Sequence, residues 1–259
     1  MPYDSLLIDV GEDFVATVTL NRPEQLNTFN SAMARDLQAA LLELDADAKA
    51  RVVVLKGAGK AFCAGIDVNE MQGKSPNELK AWVENMERPL VAMSQMNKPV
   101  IASVHGVAAA NGGGLVAAAD LAIVSEKARI GYTAVNVGLF CLGPAVPLSR
   151  VVTRKQALEL LLYGELITAQ KALEMGLVNQ VVAPDDLDKE TRRWAARLAK
   201  KSPLAVQIGK KAFYAMADLE YHKAFDLMNE AFARLCSSED AAEGVNAFLG
   251  KRDPVWKGR

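Results

Sequence analysis

Apolar residues along this chain fall into two kinds of run. Short, unbroken stretches such as "LLIDV", "VATVTL", "RVVVLKG", "VIASV" and "LAIV" lack helical spacing and read as strands. The first two, Leu6 to Val10 and Val15 to Leu20, flank the turn Gly11-Glu12-Asp13 and predict a hairpin. After a loop from Asn21 to Phe29, Asn30 or Ser31 can cap a helix in which Met33, Leu37, Ala40, Leu41 and Leu44 recur at helical spacing. A second helix is expected from about Pro76 to Met96, ahead of a buried strand at Val100 to Val104 and another at Leu121 to Val124. These strands do not alternate apolar with polar, so they predict a largely parallel sheet covered by helices on its faces, an α/β fold.

Beyond Thr153 the pattern turns helical. "RKQALELLLYG", "TAQKALEMG", "DKETRRWAARLAKK", "PLAVQIGKKAFYAM" and "YHKAFDLMNEAFARLCSS" are amphipathic, the first two stopped by Gly164 and Gly176. Only Val178 to Val182 still reads as a strand. No serine-rich, proline-rich or repeated segment separates the parts, and the expected organisation is an α/β core over 1–195 followed by a helical region over 196–259.

Composition narrows the function classes. The 259 residues suit one large domain or a domain with an extension; 51% are hydrophobic, 24% charged, and the net charge is −1. Nothing in that balance draws the chain to nucleic acid or to an acidic membrane surface. Three cysteines at unrelated spacings (Cys63, Cys141, Cys236) and two histidines (His105, His222) form no zinc pattern, which points to a reducing compartment and no structural metal. The N-terminal segment is acidic where a signal peptide is basic, and no apolar run reaches the roughly 18 residues of a membrane span. A soluble, cytoplasmic protein without a membrane partner is expected.

Candidate chemistry lies in two loops that follow strands, "GAGKAFCAGID" and "HGVAAANGGGL". Glycine there lets the backbone approach a ligand, and a helix start supplies N–H groups and the positive end of a dipole. Facing one another, two such loops would make an oxyanion hole from main-chain donors; alternatively the glycines serve only tight packing of helix on sheet. "GAGKAF" lacks the spacing and the Ser/Thr of a P-loop, and "HGVAAANGGG" does not fit GxGxxG. A nucleophilic serine at the strand-to-helix elbow is also missing, because the elbow is glycine.

"NRPEQLNTF", "GKAFCAGIDVNEM", "ANGGGLVAAADLAI" and "TAQKALEMGLVNQVV", in that order, resemble the enoyl-CoA hydratase/isomerase (crotonase) superfamily over essentially the whole chain. The resemblance implies a crotonase (ClpP-like) fold of repeated ββα units, with a C-terminal helical region that mediates trimerisation into a homotrimer or a dimer of trimers. It implies an acyl-CoA thioester as substrate, with coenzyme A entering only as part of it and no permanently bound cofactor. The shared chemistry is stabilisation of a thioester enolate by two backbone N–H groups, which by residue matching fall on Ile66 and Gly113. The same matching places Ala64, Ile66, Asp67, Val68 and Asn69 along the CoA path, with Lys60 and the C-terminal Lys251 or Lys257 near its phosphates.

Hydratases of that family carry two glutamates, and the matching positions here are Val116 and Ala134. The acid of its isomerases falls on Leu142, and no carboxylate occurs between Lys127 and Leu158. The polar groups left near the expected acyl pocket are Asn111, Tyr132, Thr133, Asn136 and Cys141, of which Asn136 and Cys141 are the candidates for chemistry. Cys141 reads either as a reactive thiol or as an inert core residue, and Asn136 either holds a carbonyl or water or caps the turn. His105 either fixes its loop by hydrogen bonding, the favoured reading, or moves protons. Glu70 and Asp67 are expected to shape their turn, Glu70 being the nearest acid to a bound acyl group.

"VNVGLFCLGPAVPLSRVVTRKQALELLLYGELITAQKALEMGLVNQVV" further resembles the enoyl-CoA hydratase domain-containing protein 3 subgroup, in which the usual glutamates are also missing. Two functions follow: an acyl-CoA enzyme that keeps the oxyanion hole, or a catalytically silent acyl-CoA-binding homologue. Hydration of an unusual enoyl-CoA, a double-bond shift, or thioester or C–C cleavage are the candidate reactions.

Overall fold

The computed structural model describes residues 3–259. Its main sheet has the order β1(Leu6–Val10), β2(Val15–Leu20), β3(Val52–Gly57), β4(Val100–Val104), β6(Leu121–Ser125), β9(Gln180–Val182). Only the β1–β2 hairpin is antiparallel; every later pairing is parallel, as the non-alternating apolar runs predict. A second sheet of three short strands, β5(Val107–Ala109), β7(Arg129–Gly131) and β8(Leu166–Thr168), was not anticipated.

The two sheets account for the repeated unit. β4 enters the large sheet, β5 the small one, and α3(Asn111–Ala118) follows; β6, β7 and α4(Leu142–Val151) repeat the order. β3 leads to a single bridge, Cys63 to Ala108 on β5, and then to α2(Pro76–Gln95).

Each face of the large sheet has its own cover. Ala16, Val18, Leu20, Val53, Leu55, Ala102 and Val104 pack under α1(Ser31–Ala46), α2 and α3. Val15, Val52, Val54, Ile101 and Ile123 meet Leu187, Ala195 and Ala199 of α7(Leu187–Ala199). The division at residue 195 therefore falls within one helix whose buried face belongs to the core. Ser103 and Thr191 share a hydrogen bond of 3.0 Å across that interface, so even the polar pair under α7 is satisfied.

Caps locate the helices where the sequence places them. The Asn30 side chain accepts from Met33 N at the start of α1, and Ser75 with Glu78 forms a capping box on α2. α5(Arg154–Tyr163) ends on Gly164 at φ 63, and α6(Ala169–Glu174) is followed by Gly176 at φ 78. α8(Pro203–Met216), α9(Tyr221–Cys236) and a further helix, α10(Glu239–Leu249), complete the chain. Asp120 fastens α8 to the core: its carboxylate accepts from Val100 N at 2.7 Å, Lys210 Nζ at 2.7 Å and Tyr214 Oη at 2.9 Å. No helix among the described residues is long and apolar enough to cross a membrane.

Candidate active site

The two glycine-bearing loops lie side by side. Phe62 N donates to His105 O at 3.1 Å, Cys63 N to Val107 O at 3.1 Å, and Ala109 N to Cys63 O at 2.9 Å. Glycine is required at this seam: a Cβ on Gly112 would overlap the Cys63 carbonyl oxygen, and one on Gly106 the Lys60 carbonyl oxygen. His105 Nε2 bonds Gly59 O at 2.9 Å, so the histidine ties one loop to the other, as the favoured reading expects.

At the open end of the seam the chain turns sharply into α3. Ala110 sits at φ 47, ψ −111, a conformation that alanine adopts only under strain of about 1–3 kcal/mol, and its amide is held by Gly131 O at 2.9 Å. Opposite it stands Gly65 at φ 115, where a Cβ would come within 3.2 Å of Ala110 Cβ.

Around this corner some amides are engaged and others are not. Ala64 N donates to Leu26 O, Asp67 N to Phe29 O, and Gly114 N to Ala110 O. The amides of Gly65 and Ile66 on the first loop, and of Asn111, Gly112 and Gly113 on the second, have no partner among the described residues. Gly113 lies in the first turn of α3, where the N–H groups have no carbonyl one turn back. The structure thus places Ala64, Ile66, Asp67, Val68, Asn69 and Gly113 in one region.

Behind Gly113 stands Tyr132, fully buried, whose hydroxyl donates to Gly113 O at 3.0 Å. Burial pushes its phenol well above the usual range, which keeps it a neutral strut. Val116, at 2% exposure, occupies the same short helix.

Several sequence candidates make bonds or packing contacts of their own. Asn136 Nδ2 donates to Gly164 O at 2.9 Å, tying the turn at Thr133–Val137 to the end of α5. Burial pushes the Cys141 thiol up, against a smaller opposing effect of its bond with the Ala134 backbone, so little thiolate forms at neutral pH. One Glu70 oxygen accepts from Ser31 N at 2.9 Å, Ser31 Oγ at 2.7 Å and Trp82 Nε1 at 2.9 Å. Burial alone would raise the Glu70 carboxyl; those donors outweigh it and hold it below the ordinary range. Asp67 accepts from Asn69 N and Nδ2 and faces Arg22 at 3.6 Å, shaping the turn at Val68–Met71.

The lysines separate. Lys60 is exposed on the turn beside the first loop. Lys257 Nζ pairs with Glu239 at 3.0 Å, and its amide with Asp240 at 2.7 Å. Lys251 sits at φ 50 just after α10. Neither C-terminal lysine is bonded to the two loops within this chain.

One ionisable group was missed in the sequence. Glu87 of α2 is partly buried against α4, where a Cβ at Gly143 would overlap its Oε1. Burial, reinforced by Glu84, raises its carboxyl above the usual range. The signal that marks it is the glycine at position 143, in the first turn of α4, which leaves room for the carboxylate.

Comparison with known proteins agrees with this architecture. The enoyl-CoA hydratase/isomerase family matches residues 11–259. The human mitochondrial enoyl-CoA hydratase domain-containing protein 3 is 37% identical over 246 residues, covering 94% of this chain and 81% of that one. The crystal structure of that human protein superposes with a TM-score of 0.93 at 35% identity, covering 97% of this chain and all of that one (100%). A crystal structure of enoyl-CoA hydratase from Mycobacterium smegmatis gives a TM-score of 0.94 at 41% identity, with 97% and 98% of the two chains covered. The chain belongs to the enoyl-CoA hydratase/isomerase family and has the crotonase fold.

Proposed function

We propose that the chain processes acyl-CoA thioesters, holding the thioester oxygen between the N–H groups of Ile66 and Gly113 as the α-carbon becomes an enolate. The observation that carries this reading is that each of two loops hydrogen-bonded to each other presents partnerless amides, Ile66 among those on one and Gly113 among those on the other. Donors fixed in this way need no reorganisation when charge develops on the oxygen, and each contributes roughly 3 kcal/mol to such a transition state. Ala64, Ile66, Asp67, Val68 and Asn69 would border the CoA path, with Lys60 at its exposed end. Coenzyme A takes part only as the substrate's own handle, and no other cofactor is called for. Lys257 could reach a CoA phosphate only by leaving Glu239.

Ordinary hydration is disfavoured, because Val116 and Ala134 supply no acid or base where each such group is worth roughly 10²–10⁴ in rate. The same two residues favour the second reading, a silent acyl-CoA-binding homologue. Incubation with a panel of enoyl-CoAs, followed by thioester mass and ultraviolet absorbance, separates the two. Binding by calorimetry with no chemical change in any thioester would remove the enzyme reading.

A direct test of the hole replaces the Gly113 N–H with an ester oxygen by incorporating glycolic acid at position 113, since a Cβ there would come within 2.9 Å of Gly131 O. Loss of one donor should lower turnover by roughly 10²–10³. Unchanged turnover would dismiss Gly113 as a donor.

Phe213, Phe225, Phe232, Phe248 and Leu249, all exposed on α8 to α10, support assembly as a homotrimer or a dimer of trimers. Sedimentation velocity tests it; a monomer at micromolar concentration rules it out. The three cysteines are unpaired, which suits the cytoplasm, whereas the human relative carries "mitochondrial" in its name. Imaging of a tagged chain in its own cell decides the compartment.

A further inference from the structure

We propose that Glu87 takes and returns the proton at the carbon beside the thioester carbonyl, making this a one-carboxylate site suited to a double-bond shift. The inference rests on the acyl-CoA reading above and supplies the proton-transfer group that reading lacks.

Placement carries the argument. α2 runs along the first turn of α3: Asn111 Nδ2 donates to Met86 O at 3.3 Å, and Leu90 Cδ1 lies 3.4 Å from where a Cβ on Gly114 would stand. Glu87 follows Met86 directly and precedes Leu90 by three residues, so it lies in the stretch of α2 that borders Gly113 and Gly114. Its carboxylate rests on Gly143, whose neighbour Pro144 would be 3.0 Å from the same Gly114 Cβ. Glu87 thus lies where α2, α3 and α4 meet, beside the helix turn that presents the free Gly113 amide.

Its chemistry differs from that of the other nearby acids. Glu70 is bound by Ser31 and Trp82, and Asp67 by Asn69 and Arg22, whereas Glu87 has no hydrogen-bond or ion-pair partner among the described residues. A carboxylate without fixed donors is free to accept a proton. Its raised affinity for one, from burial and then Glu84, suits a base that must hold it for part of a cycle. α3 has no titratable side chain, and the only one on α4, Arg150, pairs with Asp218.

The step balances without a co-reactant. The α C–H bond breaks and its proton joins a Glu87 oxygen; the electron pair moves onto the thioester oxygen, where the Ile66 and Gly113 amides hold the enolate. In a 3-enoyl-CoA the proton then returns to the γ-carbon, and the double bond ends conjugated with the carbonyl. Water addition would need a second group to orient the water, and Val116 and Ala134 provide none.

Butyryl-CoA in deuterium oxide reads out the first half, and 3-hexenoyl-CoA followed by ultraviolet absorbance reads out the whole. The wild-type protein should bind butyryl-CoA and exchange its α-hydrogens. Glu87→Gln should keep binding within about twofold and lose exchange by roughly 10²-fold or more, while Glu87→Asp, shorter by one methylene, retains partial exchange. Exchange at the wild-type rate in folded Glu87→Gln, or a wild-type protein that binds without exchanging, overturns the role of Glu87 and leaves acyl-CoA binding standing. Absence of any butyryl-CoA binding by calorimetry overturns the acyl-CoA reading itself, and this proposal with it.

Discussion

Gly112→Ala isolates the seam between the two loops. In the helix alone, alanine should help, by about 0.5–1 kcal/mol, because glycine loses more backbone entropy on ordering. Here the added Cβ would overlap the Cys63 carbonyl oxygen and stand 2.9 Å from Cys63 C and 3.0 Å from Cys63 Cβ. These are atoms of a backbone already engaged by the bonds from Cys63 N to Val107 O and from Ala109 N to Cys63 O. Relief requires the loops to part, which costs about 1–3 kcal/mol in overpacking and about 1 kcal/mol for a weakened hydrogen bond. After subtraction of the propensity gain, the variant should be about 1–3 kcal/mol less stable, with Tm lowered by roughly 2–4 °C per kcal/mol. Gly209→Ala on α8 is the control, since nothing lies within 4 Å of its Cβ; it should gain up to about 1 kcal/mol. Thermal unfolding of both variants reads the difference, and calorimetry with butyryl-CoA should show weaker binding only for the first. A Gly112→Ala protein as stable as Gly209→Ala would refute the steric reasoning.

Asn27, fully buried at φ 56, donates to Ala58 O and Ala61 O and accepts from Arg22 N, each at 2.8 Å; Asn27→Ala should cost about 3 kcal/mol by urea unfolding. Asp120→Ala leaves Lys210, whose side chain is 7% exposed, without its carboxylate, and should cost about 3–5 kcal/mol; adding Lys210→Met should recover part of that loss, and no recovery would deny the pairing. For Glu87 the pH dependence has a definite sign: burial raises its folded carboxyl above the unfolded one, so the protonated form stabilises the protein at low pH and that contribution is lost as pH rises through the folded value. Glu87→Gln should therefore unfold at a higher Tm than wild type near neutral pH and lose the advantage in acid, and a scan of Tm against pH checks it.

Sequence patterning reveals the large sheet because its inner strands β3, β4 and β6 are buried on both faces and run five or six residues without interruption, as Val100–Val104 does. The small sheet escaped because its strands are three residues long, too short for any period to show, and are fixed by their partners. α4 was hidden by Pro144 and Pro147 and by the absence of a side-chain cap at Cys141. At the site, the loops and their glycines were legible, since close approach demands residue types that can be read. Which amides remain unbonded was not, because it depends on the register of Cys63 against Ala108 across distant segments. Glu87 looked like one more polar residue on an amphipathic helix, and only the packing of α2 on Gly143 distinguishes it.

The ladder that joins Cys63 to Val107 and Ala109 has a consequence for how such a protein can change over generations. Its bonds are main chain to main chain, so substitutions that alter an acid or a base elsewhere leave the proposed anion-binding corner intact. Inheritance of the corner is uncoupled from inheritance of the proton-transfer residue. On the proposed reading, a lineage can therefore lose carboxylates from α3 and the turn after β7 and recruit one from α2 while the corner proposed to hold the thioester persists.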